Sequence, residues 1–111
     1  MTSVSEKQGK CLCGAVRVTA TPKSMNVGAC HCAMCQTWGG GPLLAVECEG
    51  TTEFEGADNI SVFNSSEWAE RGFCNKCGTH LFYRLKEGGL YAIPVGLFDD
   101  SAEWNFVEQI F

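Results

Sequence analysis

No stretch of this 111-residue sequence approaches the roughly 20 consecutive apolar residues that a helix needs to cross a bilayer, so membrane insertion is not expected. Positive charge is also scarce: eight Lys and Arg stand against thirteen Asp and Glu, giving a formal net charge of −5 and a pI near 4.9. The basic residues, Lys7, Lys10, Arg17, Lys23, Arg71, Lys76, Arg84 and Lys86, are scattered and form no stripe to track a phosphate backbone, which speaks against nucleic-acid binding. Missing as well are a Pro-rich or Ser-rich linker, an internal repeat, a heptad and any low-complexity run. A short chain without such breaks reads as one domain over residues 10–111 behind a flexible N-terminus at 1–9. Met1 to Lys10 lacks the apolar stretch and small-residue cleavage site of a secretory signal, which points to the cytoplasm, where thiols stay reduced.

What the sequence has in abundance is cysteine, eight residues in all. A small domain buries a modest fraction of its surface and gains from cross-links. Disulfide scaffolds spread their cysteines through loops, whereas seven of these fall as Cys11-Leu-Cys13, Cys30-His-Cys-Ala-Met-Cys35 and Cys74-Asn-Lys-Cys77. In a tetrahedral site with Zn–S of about 2.3 Å the sulfurs lie roughly 3.8 Å apart, a separation that neighbouring turn positions provide without long-range closure. Reduced thiols at such spacings predict metal.

Between the cysteines the pattern is one of short strands. Ala15 to Ala20 alternates, with Val16 and Val18 on one face and Arg17 and Thr19 on the other, and Thr21-Pro22 ends it. Asn26 to Cys30, Leu43 to Val46, Thr51 to Phe54, Ile60 to Phe63, Gly72 to Cys74, Thr79 to Arg84 and Leu90 to Val95 continue the series. Turn signals at Gly50, Gly56-Ala-Asp-Asn59 and Glu87-Gly-Gly89 separate them. Helical signals are confined to a turn near Met34 to Thr37 and another after Asp99-Asp-Ser101. The fold class expected is mainly β, a folded and twisted antiparallel sheet clipped by zinc.

The cysteine motifs divide by number. Cys74-Asn-Lys-Cys77-Gly78 is half of a zinc knuckle, and Cys11-Leu-Cys13-Gly14 places two thiols on one side of an extended segment, so the two together make a closed four-cysteine site. Cys30, Cys32 and Cys35 supply three thiols with no fourth cysteine in a paired motif. Zinc with four protein ligands is usually structural, while zinc with three keeps a position for water or substrate, and thiolate surroundings suit a soft incoming sulfur. Spacing also allows Cys32 and Cys35 to join Cys74 and Cys77 in a ribbon, leaving Cys11, Cys13 and Cys30 over.

Other residues have plainer readings. His31, between two ligands on an extended segment, should point away from them, and His80 suits a strand position near the core. Cys48 reads as a buried free thiol, though as a fourth ligand it would close the middle site. Arg71 could hold a substrate carboxylate through its planar fork, with an ion pair to Glu67 or Glu70 as the favoured structural role. Trp38, Trp68 and Trp104 read as packing, with Trp38 the best candidate for a pocket wall. Gly39-Gly-Gly41 is no phosphate loop, since no Lys-Ser/Thr follows it.

Taken together, Cys11-Leu-Cys-Gly-Ala-Val-Arg17, Cys30-His-Cys-Ala-Met-Cys35, Ser65-Ser66 with Arg71-Gly-Phe-Cys-Asn-Lys-Cys-Gly78, and Gly96-Leu-Phe-Asp-Asp100 resemble the glutathione-dependent formaldehyde-activating enzyme family, also called the centromere protein V-like family. The resemblance runs over nearly the whole chain, from Cys11 to Asp100. It implies an Mss4-like β fold, a structural zinc on Cys11, Cys13, Cys74 and Cys77, and a second, labile zinc on Cys30, Cys32 and Cys35. It also implies an activity, the condensation of glutathione or another small thiol with formaldehyde, a small aldehyde, to S-hydroxymethylglutathione; formally this is a carbon–sulfur lyase reaction in reverse. Zinc would lower the pKa of the incoming thiol and hold the thiolate for attack on the carbonyl carbon. The rival reading is a non-enzymatic zinc- or thiol-binding module on the same architecture, which Cys48 or His80 closing the middle site would favour. A redox reductase would need a reactive cysteine with a resolving partner, and Cys48 has no partner motif.

Overall fold

The computed structural model describes residues 5–48, 52–98 and 104–110. The strands are β1 (Lys7–Lys10), β2 (Arg17–Ala20), β3 (Asn26–Cys30), β4 (Leu43–Cys48), β5 (Glu53–Glu55), β6 (Ile60–Phe63), β7 (Ala69–Cys74), β8 (His80–Leu85), β9 (Tyr91–Pro94) and β10 (Asn105–Ile110), with one short helix, α1 (Ala33–Gly39). They form a small sheet, β1-β2-β5, and a larger one in the order β10-β3-β4-β9-β8-β7-β6. The fold is mainly β and its pairings are antiparallel, with the exception of β10, which lies parallel to β3.

Apolar alternation drives the two sheets together. Val18 and Ala20 of β2 face inward to meet Val27, Val46, Leu81 and Ile93 of the larger sheet in one buried cluster. Three aromatic rings complete the contact: Phe54 of β5 lies 5.3 Å from Phe82 and 5.6 Å from Tyr91, and Phe82 meets Tyr91 edge-on at 5.1 Å. Gly72 is paired across the ladder with Phe82, whose ring lies where a Cβ on residue 72 would project, so the strand needs a glycine there.

The structure departs from the sequence reading at both ends. A flexible start is expected over residues 1–9, yet from Lys7 the chain is strand β1, with Lys7, Gln8 and Gly9 registered on Ala20, Thr19 and Val18. Lys-Gln-Gly-Lys carries no apolar alternation, so the strand is dictated by its neighbour β2 and not by local preference. The helical turn expected after Asp99-Asp-Ser101 begins outside the described residues, and residues 105–110 are strand β10. Strand β7 starts at Ala69, three residues before Gly72, which places Arg71 inside the sheet. Among the described residues, no helix is long and apolar enough to cross a membrane.

Candidate metal centres and the adjoining cleft

Two tight turns build the first cysteine cluster. Cys11 and Cys13 lie between β1 and β2, where the Gly14 amide closes the turn on the Cys11 carbonyl at 3.0 Å. Cys74 ends β7 and Cys77 lies between β7 and β8, where the Gly78 amide closes the equivalent turn on the Cys74 carbonyl at 2.8 Å. Both glycines have φ +81°, a left-handed conformation that a side chain would oppose. The Leu12 amide, donating to the Thr79 hydroxyl at 3.1 Å, joins one turn to the other.

This geometry suits a metal. The four sulfurs lie within 4.8 Å of one another, with Cys11–Cys13 at 3.6 Å and Cys13–Cys74 at 3.8 Å, against the edge of roughly 3.8 Å expected of a tetrahedral zinc–thiolate site. The eight cysteines are free of disulfides. Donors already face the sulfurs as they would face thiolates: the Val16 amide to Cys11 at 3.4 Å, the Lys76 amide to Cys74 at 3.4 Å, and the Thr79 hydroxyl beside Cys77 at 3.1 Å. The Thr79 side chain and amide bring the Cys77 thiol down to about 5. Cys13 stands at about 11: the Ala15 amide favours its thiolate, but desolvation and the neighbouring thiols oppose it. Crowded thiols cannot all ionise alone, and a dication removes that conflict.

The second cluster has three members. Cys30 ends β3, Cys32 caps α1 by accepting the Cys35 amide at 3.4 Å, and Cys35 lies in the helix with its Sγ 3.4 Å from that of Cys30. The three sulfurs lie within 4.8 Å of one another, a set that could also hold a metal ion, with one tetrahedral corner unclaimed among the described residues. The Cys35 amide brings the Cys32 thiol down, whereas burial, with the help of Cys32, pushes Cys35 up to about 12 against the pull of Arg71.

Cys30, Cys32 and Cys35 open onto a cleft of about 680 Å³, also lined by Lys23, Ser24, Asn26, Met34, Glu47, Trp68, Arg71 and Tyr83. Arg71 dominates the inner wall. It is 2% exposed, and its Nη1 and Nη2 each lie 3.6 Å from Cys35 Sγ. Its guanidinium sits over the rings of Trp38 at 5.0 Å and Tyr83 at 4.9 Å. Trp38 in turn stacks on His80 with centroids 3.7 Å apart and planes within 6°. Burial and the Arg71 charge together lower the His80 pKa.

Several residues take roles other than those read from sequence. The ribbon pairing of Cys32 and Cys35 with Cys74 and Cys77 does not form, since these pairs belong to different clusters. Neither Cys48 nor His80 joins the middle cluster: Cys48 is fully buried with its thiol directed at the Val46 carbonyl, and His80 is held against Trp38. His31 stands outside both clusters too. Arg71 does not pair with Glu70, because adjacent strand residues face opposite sides of the sheet, and Glu70 instead meets Arg84 at 2.8 Å. The tryptophan lining the cleft is Trp68, 61% exposed, while Trp38 lies behind Arg71. Tyr83 carries no motif of its own; it reaches the site because the β7–β8 register sets it opposite Arg71.

Fold and site together define a mainly β protein clipped by two cysteine clusters, one closed and one open to a cleft. The match of residues 6–111 to the model of the glutathione-dependent formaldehyde-activating enzyme family makes the assignment specific, and the chain belongs to that family. It is 32% identical over 106 residues to an uncharacterized lyase of Schizosaccharomyces pombe, covering 95% of this chain and 77% of that protein. A Podospora anserina relative, named provisionally as a glutathione-dependent formaldehyde-activating enzyme, is 30% identical over 92% of this chain and 51% of its own length. The crystal structure of a Rhodobacter sphaeroides protein shares the fold with a TM-score of 0.74 at 20% identity, covering 90% of this chain and 99% of that one.

Proposed function

We propose that this protein is a zinc-dependent carbon–sulfur lyase-type enzyme that joins a small thiol, glutathione or a similar compound, to formaldehyde. A structural zinc is assigned to Cys11, Cys13, Cys74 and Cys77, and a second zinc to Cys30, Cys32 and Cys35. The observation that carries the reading is the contrast between the clusters: four sulfurs locked between two turns, and three sulfurs facing a cleft with neither Cys48 nor His80 in reach. A dication held by three thiolates supplies a fourth coordination position and lowers the pKa of a thiol that takes it.

The chain's own residues do the rest. A small thiol entering the cleft would meet Cys30, Cys32 and Cys35 between apolar walls that include Met34, Trp68 and Tyr83, which favours its approach to the three sulfurs. Addition forms one sulfur–carbon bond and breaks the carbonyl π bond, and the thiol proton ends on the new hydroxyl oxygen. No oxidant or reductant is needed. Tyr83 and Lys23 are the groups lining the cleft that can donate a proton to that oxygen. The reaction of thiols with formaldehyde also runs unaided, so the test is the initial rate of S-hydroxymethylglutathione formation by zinc-loaded protein against the spontaneous background. A rate that rises linearly with protein and falls to background in Cys32→Ser is expected. No excess at saturating protein would sink the catalytic reading.

A further inference from the structure

We propose that Arg71 is the counter-charge of the three-cysteine centre, the group that lets this centre accept an anionic sulfur ligand in its open position. The inference rests on the function proposed above and adds what selects the ligand. Three thiolates around a dication carry a net charge of minus one, and an incoming thiolate makes it minus two. In a buried setting that charge is costly unless something offsets it.

The two clusters meet this demand differently. In the closed cluster the backbone amides of Val16 and Lys76 and the Thr79 hydroxyl face the sulfurs, and Cys13 is exposed to solvent. In the open cluster Cys35 is 4% exposed, and what faces it is a full cation, with both terminal nitrogens of Arg71 at 3.6 Å. Among the described residues the acceptor for this guanidinium is the Cys35 sulfur, and its buried Nε has no hydrogen-bond partner. The neighbouring carboxylate, Glu70, is committed to Arg84. Trp38 and Tyr83 cover the guanidinium and hold it in place while leaving its charge uncancelled. A buried arginine whose partner is a thiol is a poor structural element and a good one for completing an anionic centre. An opposite charge within about 4–6 Å favours the ionised form of a group by about tenfold or more, and Arg71 stands inside that range of Cys35, one corner of the centre that a fourth sulfur would join.

The test uses the full chain loaded with cobalt(II), whose thiolate charge-transfer and ligand-field bands report each cluster, titrated with glutathione and with 2-mercaptoethanol. In the unaltered protein both thiols should shift the bands of the three-cysteine centre. In Arg71→Met the four-cysteine bands should persist while both thiols bind about tenfold or more weakly, and Arg71→Lys should recover most of the loss. If the unaltered protein fails to respond to either thiol, the proposed function falls and this inference falls with it. If it responds and Arg71→Met binds both thiols equally well, the role of Arg71 is overturned while the function stands. Weakened binding of glutathione alone would also overturn it, because Arg71 would then be reading a carboxylate and not the sulfur. Should Arg71→Met lose the four-cysteine bands and hence the fold, Arg71→Lys decides: affinity close to that of the unaltered protein supports the charge, and a tenfold loss in a folded Arg71→Lys overturns it.

Discussion

Cys48 and Cys35 are both buried thiols, and their surroundings set them apart. Cys48 has no accessible surface, and burial alone pushes its thiol up to about 12. At pH 8 only about one such thiol in ten thousand is ionised, and alkylating reagents attack the thiolate. Iodoacetamide should therefore leave Cys48 untouched in the native zinc-loaded protein and label it once the chain is unfolded, as peptide mass analysis would show; native labelling would mean that the core opens on the reaction timescale. A second residue-scale consequence concerns Gly72. A methyl group there would project into the Phe82 ring, which is itself fixed by Phe54 and Tyr91. Gly72→Ala should cost about 1–3 kcal/mol in a denaturant titration, the usual cost of overpacking a filled core. An unchanged midpoint would show that the ring yields freely.

Among the elements, the closed cluster ties the β1–β2 turn to the β7–β8 turn, and so fastens the small sheet to the large one through side chains as well as through the core. The open cluster joins only the end of β3 to the start of α1, a span of six residues that is already local. Loss of a ligand should therefore be felt unequally. Cys74→Ser should lower stability by several kcal/mol, because metal binding to a site that spans two sheets is part of the folding free energy. Cys32→Ser, which also keeps an oxygen able to cap α1, should have a smaller effect on the thermal midpoint while abolishing thiol binding at the open centre. Equal losses would contradict the division into a structural and an open site.

The same division explains how much could be read beforehand. Strands β3 and β6 have the bounds expected from their sequence: in β3 the run buries Val27, while β6 is an edge strand whose β-branched and aromatic residues favour extended backbone even with Val62 and Phe63 exposed. Strand β1 could not be read, since Lys-Gln-Gly-Lys becomes a strand only when β2 is present to pair with it. The two cysteine clusters were legible because short spacings keep sulfurs close enough to share a metal ion, whatever the rest of the fold does. The environment of Arg71 was not: Trp38, Tyr83 and Cys35 lie far from it in sequence, and the β7–β8 register and the packing of α1 bring them together.

For the whole molecule, net charge and metal content are linked. The chain carries −5 before any thiol ionises, and a dication held by four thiolates adds a charge of minus two while one held by three adds minus one, so metal binding cross-links the fold while making the chain more negative. The two sites should then part company when a competing thiol is present. At the closed site four chain sulfurs fill the coordination shell, and an incoming ligand must displace one that is pinned in a glycine-closed turn. At the open site three sulfurs face a cleft, and a small thiol can first add and then, in excess, carry the metal away. Zinc per chain, measured before and after dialysis against millimolar glutathione in metal-free buffer, should fall from about two to about one. Cys30→Ser should start near one and stay there, and Cys77→Ser should lose fold and metal together. Two zinc ions retained through dialysis would instead mark both clusters as closed, and the protein would then be better described as a zinc-stabilised binding module on the same fold.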